Sequence, residues 1–283
     1  MIEFFKKIAN LEIYYEHLAT IQWKEGYAYK KWVNTSHCQR IKPHLRRFAP
    51  YKYGESPTAD TLFYKLKIFF KQAFDIVFGV ATDKQGISLY ERRSQLNWRQ
   101  MTCWVFKRKA LESMQDRIID LLKGFLEMDA LSVGDPAVGT KGSSKGKKKA
   151  VIFAIQKDDH DIHRCPRQVI KGAASKELTP SLKHLISKEA GVNTDSWQRY
   201  TAFNSAYPSI EQVPSSVNNS LWLLHRQRML FQFWLQGIHR IKHLQAYLDD
   251  VTYKFNRLKC KNYRFHSLII KMVKLKIDSY NQF

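Results

Sequence analysis

Two aspartates stand where a carboxylate could hold a metal ion. Asp129 lies within residues 125–131, an apolar stretch that predicts a β-strand, and Asp195 ends a second short strand at residues 192–195. Carboxylate oxygens are the ligands that hard divalent cations such as Mg²⁺ prefer. An aspartate at a strand end or turn also caps local backbone amides, and taken alone that structural role is favoured for both residues.

The cysteines indicate neither a zinc site nor a disulfide framework. They are Cys38, Cys103, Cys165 and Cys260. Their positions are far apart and include no CxxC pair, which fits a reducing cytoplasm. A makeshift zinc site from Cys38, His37 and His44 is the disfavoured alternative, and no zinc is expected.

The charge balance points to a polyanionic partner. The chain has 47 Lys and Arg against 25 Asp and Glu, a net charge of +22. Nucleic acid is favoured, because each phosphate contact releases condensed counterions. A cationic ribosomal or membrane-surface protein is the alternative. No run of eighteen apolar residues predicts a spanning helix, the first residues lack the order of a signal peptide, and a 44% hydrophobic content excludes bulk disorder.

The elements around the two aspartates predict a mixed sheet. After the strand at residues 125–131, strands are expected at 150–155 and 167–170, then a helix over 175–188 and the strand that ends at Asp195. Strands that precede a helix, a further strand and terminal helices indicate a sheet with helices on its faces.

A helical region precedes this sheet. Residues 66–118 are expected to be mainly helical. An apolar stripe at helical spacing over residues 66–78 is followed by a turn and a second helix. Two helices across a short turn fit a helix-turn-helix, in which the second helix enters the major groove of DNA. Phosphate contacts are expected from Arg92, Arg93, Arg99, Lys107, Arg108 and Lys109. An ordinary helical hairpin with solvated charges is the alternative.

A flexible cationic loop separates the first two strands of the sheet. Residues 139–149 are almost entirely Gly, Ser and Lys. Lys145, Lys147 and Lys148 could grip a phosphate backbone there. A solvated surface hairpin is an equally weighted alternative.

The carboxy-terminal third carries the most specific pattern. It contains WLQGIH at residues 234–239, HLQAYLDD at 243–250 and YKFNR at 253–257. This pattern resembles the W-L-x-G-T-x-H, H-L-Q-x-Y-L-D-E-F and F-R-F-N-R-R blocks of bacterial insertion-sequence transposases of the ISXO type. In that family an amino-terminal zinc ribbon precedes an RNase H-like catalytic domain. The resemblance covers about residues 20–257 and is strongest over 84–115 and 192–257.

The amino-terminal part of the resemblance lacks the zinc ligands. Trp23, Gly26 and Tyr27 match the family, as does the turn at residues 58–63. Aromatic residues stand at the four thiolate positions, namely Tyr29, Trp32, Phe48 and Tyr51. Because tetrahedral zinc needs four Cys or His ligands, a degenerate ribbon remnant is expected.

The resemblance implies two-metal phosphoryl transfer on DNA. Asp129 falls at the first aspartate, although most of the residues that follow it depart from the family pattern. Asp195 falls at the second within TDSWQRY, which is close to the family's T-D-G-W-x-x-Y. Both are therefore candidate catalytic residues and Mg²⁺ ligands.

The third ligand is missing in this comparison. With His225 and Trp234 as anchors, Leu230 stands at the family's Asn and Gln232 at its Lys. Leucine cannot bind a metal, and glutamine cannot supply the positive charge of lysine. A gapped alignment with a glutamate-bearing branch would place residue 218 or 219, both Asn, nearby. Asp249 and Asp250 are expected to be exposed helix charges.

These features predict an α/β fold with an RNase H-like mixed sheet and flanking helices. A degenerate zinc-ribbon region is expected at residues 1–64, a helix-turn-helix-like region at 65–120, the RNase H-like domain at 121–260 and a helical tail at 261–283. The expected function is that of a transposase by descent with impaired activity, using Mg²⁺ or Mn²⁺ if active. A non-catalytic DNA-binding protein is the alternative. Expected partners are DNA and further copies of the chain, without a membrane, in the bacterial cytoplasm at the nucleoid.

Overall fold

The computed structural model describes residues 11–27, 38–42, 45–48, 53–83, 99–115, 121–134, 149–158, 161–170, 182–195, 210–213, 221–235, 244–257 and 261–275. Packing divides the chain into two compact units. The first comprises residues 1–114 and 259–283, and the second residues 115–258. The division into four segments expected from the sequence stays a prediction, because the two units follow from contacts within the fold and do not test the origin of each segment.

The described residues contain six helices and nine strands. The helices are α1 (Leu11–Gln22), α2 (Phe70–Thr82), α3 (Gln100–Glu112), α4 (Trp222–Leu235), α5 (Leu244–Phe255) and α6 (Lys261–Lys274). The strands are β1 (Cys38–Lys42), β2 (Leu45–Phe48), β3 (Tyr53–Glu55), β4 (Phe125–Val133), β5 (Lys149–Asp158), β6 (Asp161–Arg164), β7 (Arg167–Ile170), β8 (Gly191–Asp195) and β9 (Ile210–Val213). In this part of the chain no helix is long and apolar enough to cross a membrane.

The helices of the first unit share an aromatic core. The ring of Phe74 in α2 lies 4.8 Å from that of Tyr14 in α1 and 6.2 Å from that of Phe265 in α6, measured between centroids. The helical stripe predicted from residue 66 begins too early, because α2 starts at Phe70. Phe69 is 78% exposed, and its N–H donates to Gln72 Oε1 at 3.2 Å. The turn expected between α2 and α3 falls on residues 84–98, outside the described residues.

A small antiparallel sheet occupies the segment expected to be a zinc-ribbon remnant. β2 pairs with β1 and β3, with Phe48 opposite both Cys38 and Tyr53. The other three aromatic residues at thiolate positions, 29, 32 and 51, lie outside the described residues. In the turn that follows, Asp60 has a φ of 57°, a left-handed conformation that Asp tolerates better than most residues, and Thr61 Oγ1 donates to the Thr58 carbonyl at 2.8 Å.

The second unit is built on one mixed sheet with β4 at its centre. β4 pairs antiparallel with β5 and parallel with β8, and β8 pairs parallel with β9. β5 also pairs antiparallel with β6 and with β7. An antiparallel hairpin extended on its other side by parallel strands is the RNase H-like arrangement that the sequence predicted, and the α/β fold class is confirmed.

The two faces of this sheet bury different clusters. Successive residues of a strand point to opposite faces. Leu126 and Met128 of β4 lie in one cluster with Val192, whereas Leu131 lies in the other with Leu224 and Phe231 of α4. The second face is therefore the one covered by α4, and it also carries the odd-numbered polar residues of β4.

The predicted strands at 125–131, 150–155, 167–170 and 192–195 are confirmed. The helix predicted over 175–188 is wrong at its end, because residues 184–190 form turns and a bridge between Ile186 and Leu122. Residues 171–181 lie outside the described residues. The four-residue strands β6 and β9 were not predicted.

Candidate active site and nucleic-acid interface

Asp129 lies in the middle of the central strand. Its backbone is paired with Phe153 of β5, and its side chain is 7% exposed. Glu127 and Leu131 lie two residues before and two residues after it on the strand. All three side chains therefore project toward the same face, which α4 covers. Asp129 is therefore a nearly buried carboxylate between the sheet and a helix.

The register of the sheet brings Asp195 beside Asp129. In the parallel pair of β4 and β8, Met128 is paired with Thr194. Asp129 and Asp195 follow these two residues, so they are neighbours on adjacent strands. Asp195 is also paired with Val213 of β9. The side chain of Asp195 is outside the described side chains.

Glu127 attaches α4 to the central strand. Its side chain is 1% exposed, and its Oε2 accepts a hydrogen bond from the Leu224 N–H at 3.2 Å. Leu224 is the third residue of α4, so its amide has no partner within the helix and the Glu127 carboxylate satisfies it. The positive end of the helix dipole in turn stabilises the negative charge of this carboxylate. Lys157 of β5 forms an ion pair with Glu127.

Arg228 is the α4 residue that reaches Asp129. Its Nη1 donates to Asp129 Oδ2 at 2.8 Å, and its side chain is 39% exposed. Arg228 stands one helical turn after Leu224, at the edge of the face on which Leu224, Gln227 and Phe231 are buried. Sequence comparison missed this residue because it was anchored on His225 and Trp234. The spacing of the buried residues is the signal that could have found it.

Leu230 lies on the opposite side of α4. Its side chain is 54% exposed, and it belongs to a surface groove along the helix. The groove is lined by Trp222, His225, Arg226, Met229, Leu230 and Phe233. Gln232, which stands at the family's lysine, is exposed as well. The helix thus directs neither residue of the expected third position toward Asp129.

The described side chains around Asp129 do not fit a two-metal site. A guanidinium already binds one carboxylate oxygen of Asp129, and Glu127 is engaged by Lys157 and by a backbone amide. Among the described residues no three His, Cys, Asp or Glu side chains cluster as metal ligands would. Two-metal sites need several oxygen ligands free to bind cations.

The sheet formed by β4–β9, together with α4 and α5, lies in a segment that matches a known protein family. Residues 121–256, nearly half of the chain, match the ISXO2-like transposase domain. This segment is an ISXO2-like transposase domain. The resemblance inferred from the sequence is confirmed. No curated protein matches the chain well enough to be named as a relative.

The transposase domain contains a buried ion pair where exposed charges were expected. Asp250 of α5 is 3% exposed, and its Oδ1 lies 2.8 Å from Nζ of Lys254 one turn later. The expectation that Asp250 is an exposed helix charge is therefore wrong. Asp249 is partly buried, and its Oδ1 accepts a hydrogen bond from Gln245 at 2.8 Å. Both residues have structural roles in α5.

A buried arginine lies under α4 and α5 of the transposase domain. The Arg167 guanidinium lies 5.2 Å from the ring of Phe153, 6.0 Å from that of Phe231 and 5.5 Å from that of Phe255. It donates to the Cys165 carbonyl at 3.1 Å. Burial lowers the pKa of Arg167 and raises that of Cys165. No sequence pattern predicts this enclosure of Arg167 by aromatic rings.

The residues predicted to bind DNA are partly described. Arg99 is exposed and directly precedes α3, and Lys107 is half-buried. Arg108 is bonded to Glu112 at 3.0 Å, and its guanidinium lies 6.0 Å from the ring of Trp104. Lys109 is half-buried in the last turn of α3. The others, at 92, 93, 145, 147 and 148, lie outside the described residues.

Proposed function

We propose that this chain binds DNA as a descendant of an insertion-sequence transposase and that its DNA cleavage is impaired. Asp129 and Asp195 are the proposed remnants of the metal-binding catalytic residues, which would have used Mg²⁺ or Mn²⁺. The missing third oxygen ligand is the proposed cause of impairment. This proposal goes beyond the family assignment, which establishes transposase ancestry.

One observation carries the catalytic part of the proposal. β4 and β8 are neighbours, and their parallel register has Asp129 and Asp195 at adjacent positions. Two carboxylates on adjacent strands would supply two of the oxygen ligands that a two-metal site for phosphoryl transfer needs. Leu230 and Gln232, at the positions where the family has further functional residues, are both exposed. Loss of a ligand misplaces the nucleophile and removes charge stabilisation from the transition state.

The charge of the chain supports DNA as the partner. A net charge of +22 favours a polyanion. In α3 the exposed residues include Met101 and Trp104, and Arg99 precedes them. A helix that presents both basic and apolar side chains suits a groove lined by phosphates and bases. Assembly with further copies on DNA and a place at the bacterial nucleoid are parts of the same proposal.

Strand transfer on DNA with the element's terminal inverted repeats tests the proposal. We expect salt-sensitive binding with a steep dependence of affinity on salt concentration, and little or no cleavage with Mg²⁺ or Mn²⁺. Robust cleavage that disappears in Asp129→Ala and in Asp195→Ala would contradict the claim of impairment. Weak binding to duplex DNA at low salt would contradict DNA as the partner.

A second candidate function is that of a DNA-binding protein without any catalytic step. The contact between Arg228 and Asp129 favours it, because a guanidinium occupies the carboxylate that a metal would need. Metal-dependent nicking separates the two candidates. A trace of nicking that needs Asp129 favours the impaired enzyme, and its complete absence favours the binding protein.

A further inference from the structure

The carboxylate of Asp129 is balanced by a charge that belongs to the protein. Its side chain is 7% exposed, and a carboxylate at such depth needs a cation or several hydrogen bonds to offset the hydration that it has lost. Arg228 Nη1 supplies that cation at 2.8 Å. The planar guanidinium matches the geometry of a carboxylate, which makes arginine suited to such an ion pair.

Contacts on both sides of Arg228 fix the position of α4 on the sheet. Glu127 holds the first turn of α4 through the Leu224 amide, and Phe231 one turn beyond Arg228 packs on Phe153 with ring centroids 5.0 Å apart. Arg228 lies between these two anchors. Its approach to Asp129 therefore follows from the packing of the whole helix.

We propose that Arg228 has replaced the divalent cation of this site and that it binds a DNA phosphate there without metal. The guanidinium has further N–H groups besides the one on Asp129, and the side chain is 39% exposed. An oxygen of a phosphate can approach from the solvent side while the bond to Asp129 is kept, since arginine binds phosphate through several N–H groups at once. The binding of phosphate rests on the proposed DNA-binding function, and the replacement of the metal rests on the proposed descent of Asp129 from a metal ligand.

The first experiment measures metal binding by the full chain in the absence of DNA. Thermal unfolding is compared in EDTA and in millimolar Mn²⁺ for the wild type, Arg228→Glu and the matched control Arg226→Glu, which changes an exposed arginine of the same helix. We expect the wild type and the control to show the same Tm in both buffers. In EDTA, Arg228→Glu should melt lower because two carboxylates face each other, and Mn²⁺ should raise its Tm by about 3 °C or more.

Two outcomes would overturn the replacement of the metal. One is a Tm of the wild type that rises with Mn²⁺ and no longer rises in Asp129→Asn. The other is an Arg228→Glu variant whose Tm does not respond to Mn²⁺. If that variant does not fold in EDTA, Arg228→Asn is the second variant, since it removes the positive charge without adding a negative one, and a response of the same sign is expected.

The second experiment measures DNA affinity in EDTA. Arg228→Gln should bind duplex DNA about three- to tenfold more weakly than the wild type, and the logarithmic slope of affinity against salt should fall by about one. Arg228→Lys should keep most of the affinity. Arg226→Gln removes the same charge two residues away and should have a smaller effect. Equal losses in the two Gln variants would contradict phosphate binding at Arg228.

The two experiments separate this inference from the proposed function. Failure of the wild-type chain to bind DNA would contradict the proposed function and the phosphate contact together. The Mn²⁺ measurement contains no DNA, and it would still decide whether Arg228 stands in place of the metal.

Discussion

The Glu127 carboxylate of the central strand accepts a hydrogen bond from the Leu224 N–H in the first turn of α4. This contact joins residues 97 positions apart, and it lies two residues from Asp129. The strand that carries the candidate catalytic aspartate therefore also fixes the helix that carries Arg228.

Replacing Glu127 should loosen α4. We expect Glu127→Ala to lower the free energy of unfolding of the transposase domain by about 2 kcal/mol, because it removes a helix cap and an ion pair from a buried site. Glu127→Gln retains an acceptor for the amide and should cost less. Chemical denaturation measures the difference, with the exposed Glu189→Ala as control. Equal stability of Glu127→Ala and the control would contradict the capping role.

In the buried pair of α5, removal of one charge should destabilise the fold more than removal of both charges. Lys254→Met removes the cation that lies 2.8 Å from Asp250 Oδ1 in a buried site, and it should cost about 3 kcal/mol. The double variant Asp250→Leu with Lys254→Met removes both charges and should recover most of that loss. Denaturation curves of the wild type and the variants measure the coupling. Additive losses would show that the pair does not act as a unit.

Arg167 should not tolerate lysine. Its planar guanidinium faces three phenylalanine rings, and the compact ammonium of lysine cannot replace that geometry. We expect Arg167→Lys to lower the free energy of unfolding by about 2 kcal/mol although the charge is kept. Arg164→Lys, on the partly exposed strand β6, is the matched control. A stability loss no larger than that of the control would argue against the aromatic enclosure.

The first unit should lose stability in mild acid through His17. Partial burial beside Phe74, and secondarily the nearby His266, lower the pKa of His17 below its ordinary value of 6.5. The neutral form is thus favoured in the fold. Its contribution is present above about pH 6.5 and is lost as the pH falls from there toward the lowered pKa.

Thermal unfolding of the wild type and His17→Gln across that range measures this contribution. The wild type should become less stable as the pH falls, and the variant should show a shallower dependence. His266→Gln should lie between them, because it removes one of the two causes and leaves the burial. Identical pH profiles of all three would show that His17 does not govern the acid response.

DNA binding by α3 predicts a specific effect of Arg99. We expect Arg99→Gln to weaken binding to duplex DNA several-fold and to reduce the salt slope by about one. Lys67→Gln removes the same charge from an exposed site ahead of α2 and should change affinity less. Electrophoretic mobility shifts at several salt concentrations measure both. Equal effects would indicate a diffuse attraction without a role for α3.

The strands near the candidate site could be predicted because their buried residues form continuous apolar runs. β4 is buried along most of its length and β5 over residues 151–155, and the sequence predicts the bounds of both to within about three residues. β6 and β9 have the sequences DIHR and IEQV, which contain no such run. Their pairing with longer strands creates them, and the local sequence does not encode it.

The contact on Asp129 could not be predicted by matching residues to a family pattern. That comparison selects positions by sequence distance from His225 and Trp234, and it selected Leu230 on the exposed side of the helix. Which face of α4 meets the sheet depends on long-range contacts such as Glu127 with Leu224. Matching residues to a family pattern does not show which side chains form a salt bridge between the helix and the sheet.

The first unit cannot complete its core during synthesis until α6 has been translated. Phe265 of α6 lies against Phe74 of α2, and the Leu62 N–H donates to the Met272 carbonyl at 3.2 Å. During synthesis α1, α2 and α3 leave the ribosome long before these partners exist. The opening helices therefore obtain the α6 side of their core only after the transposase domain has been translated, and a frameshift after α5 would leave Phe74 without its contact to Phe265.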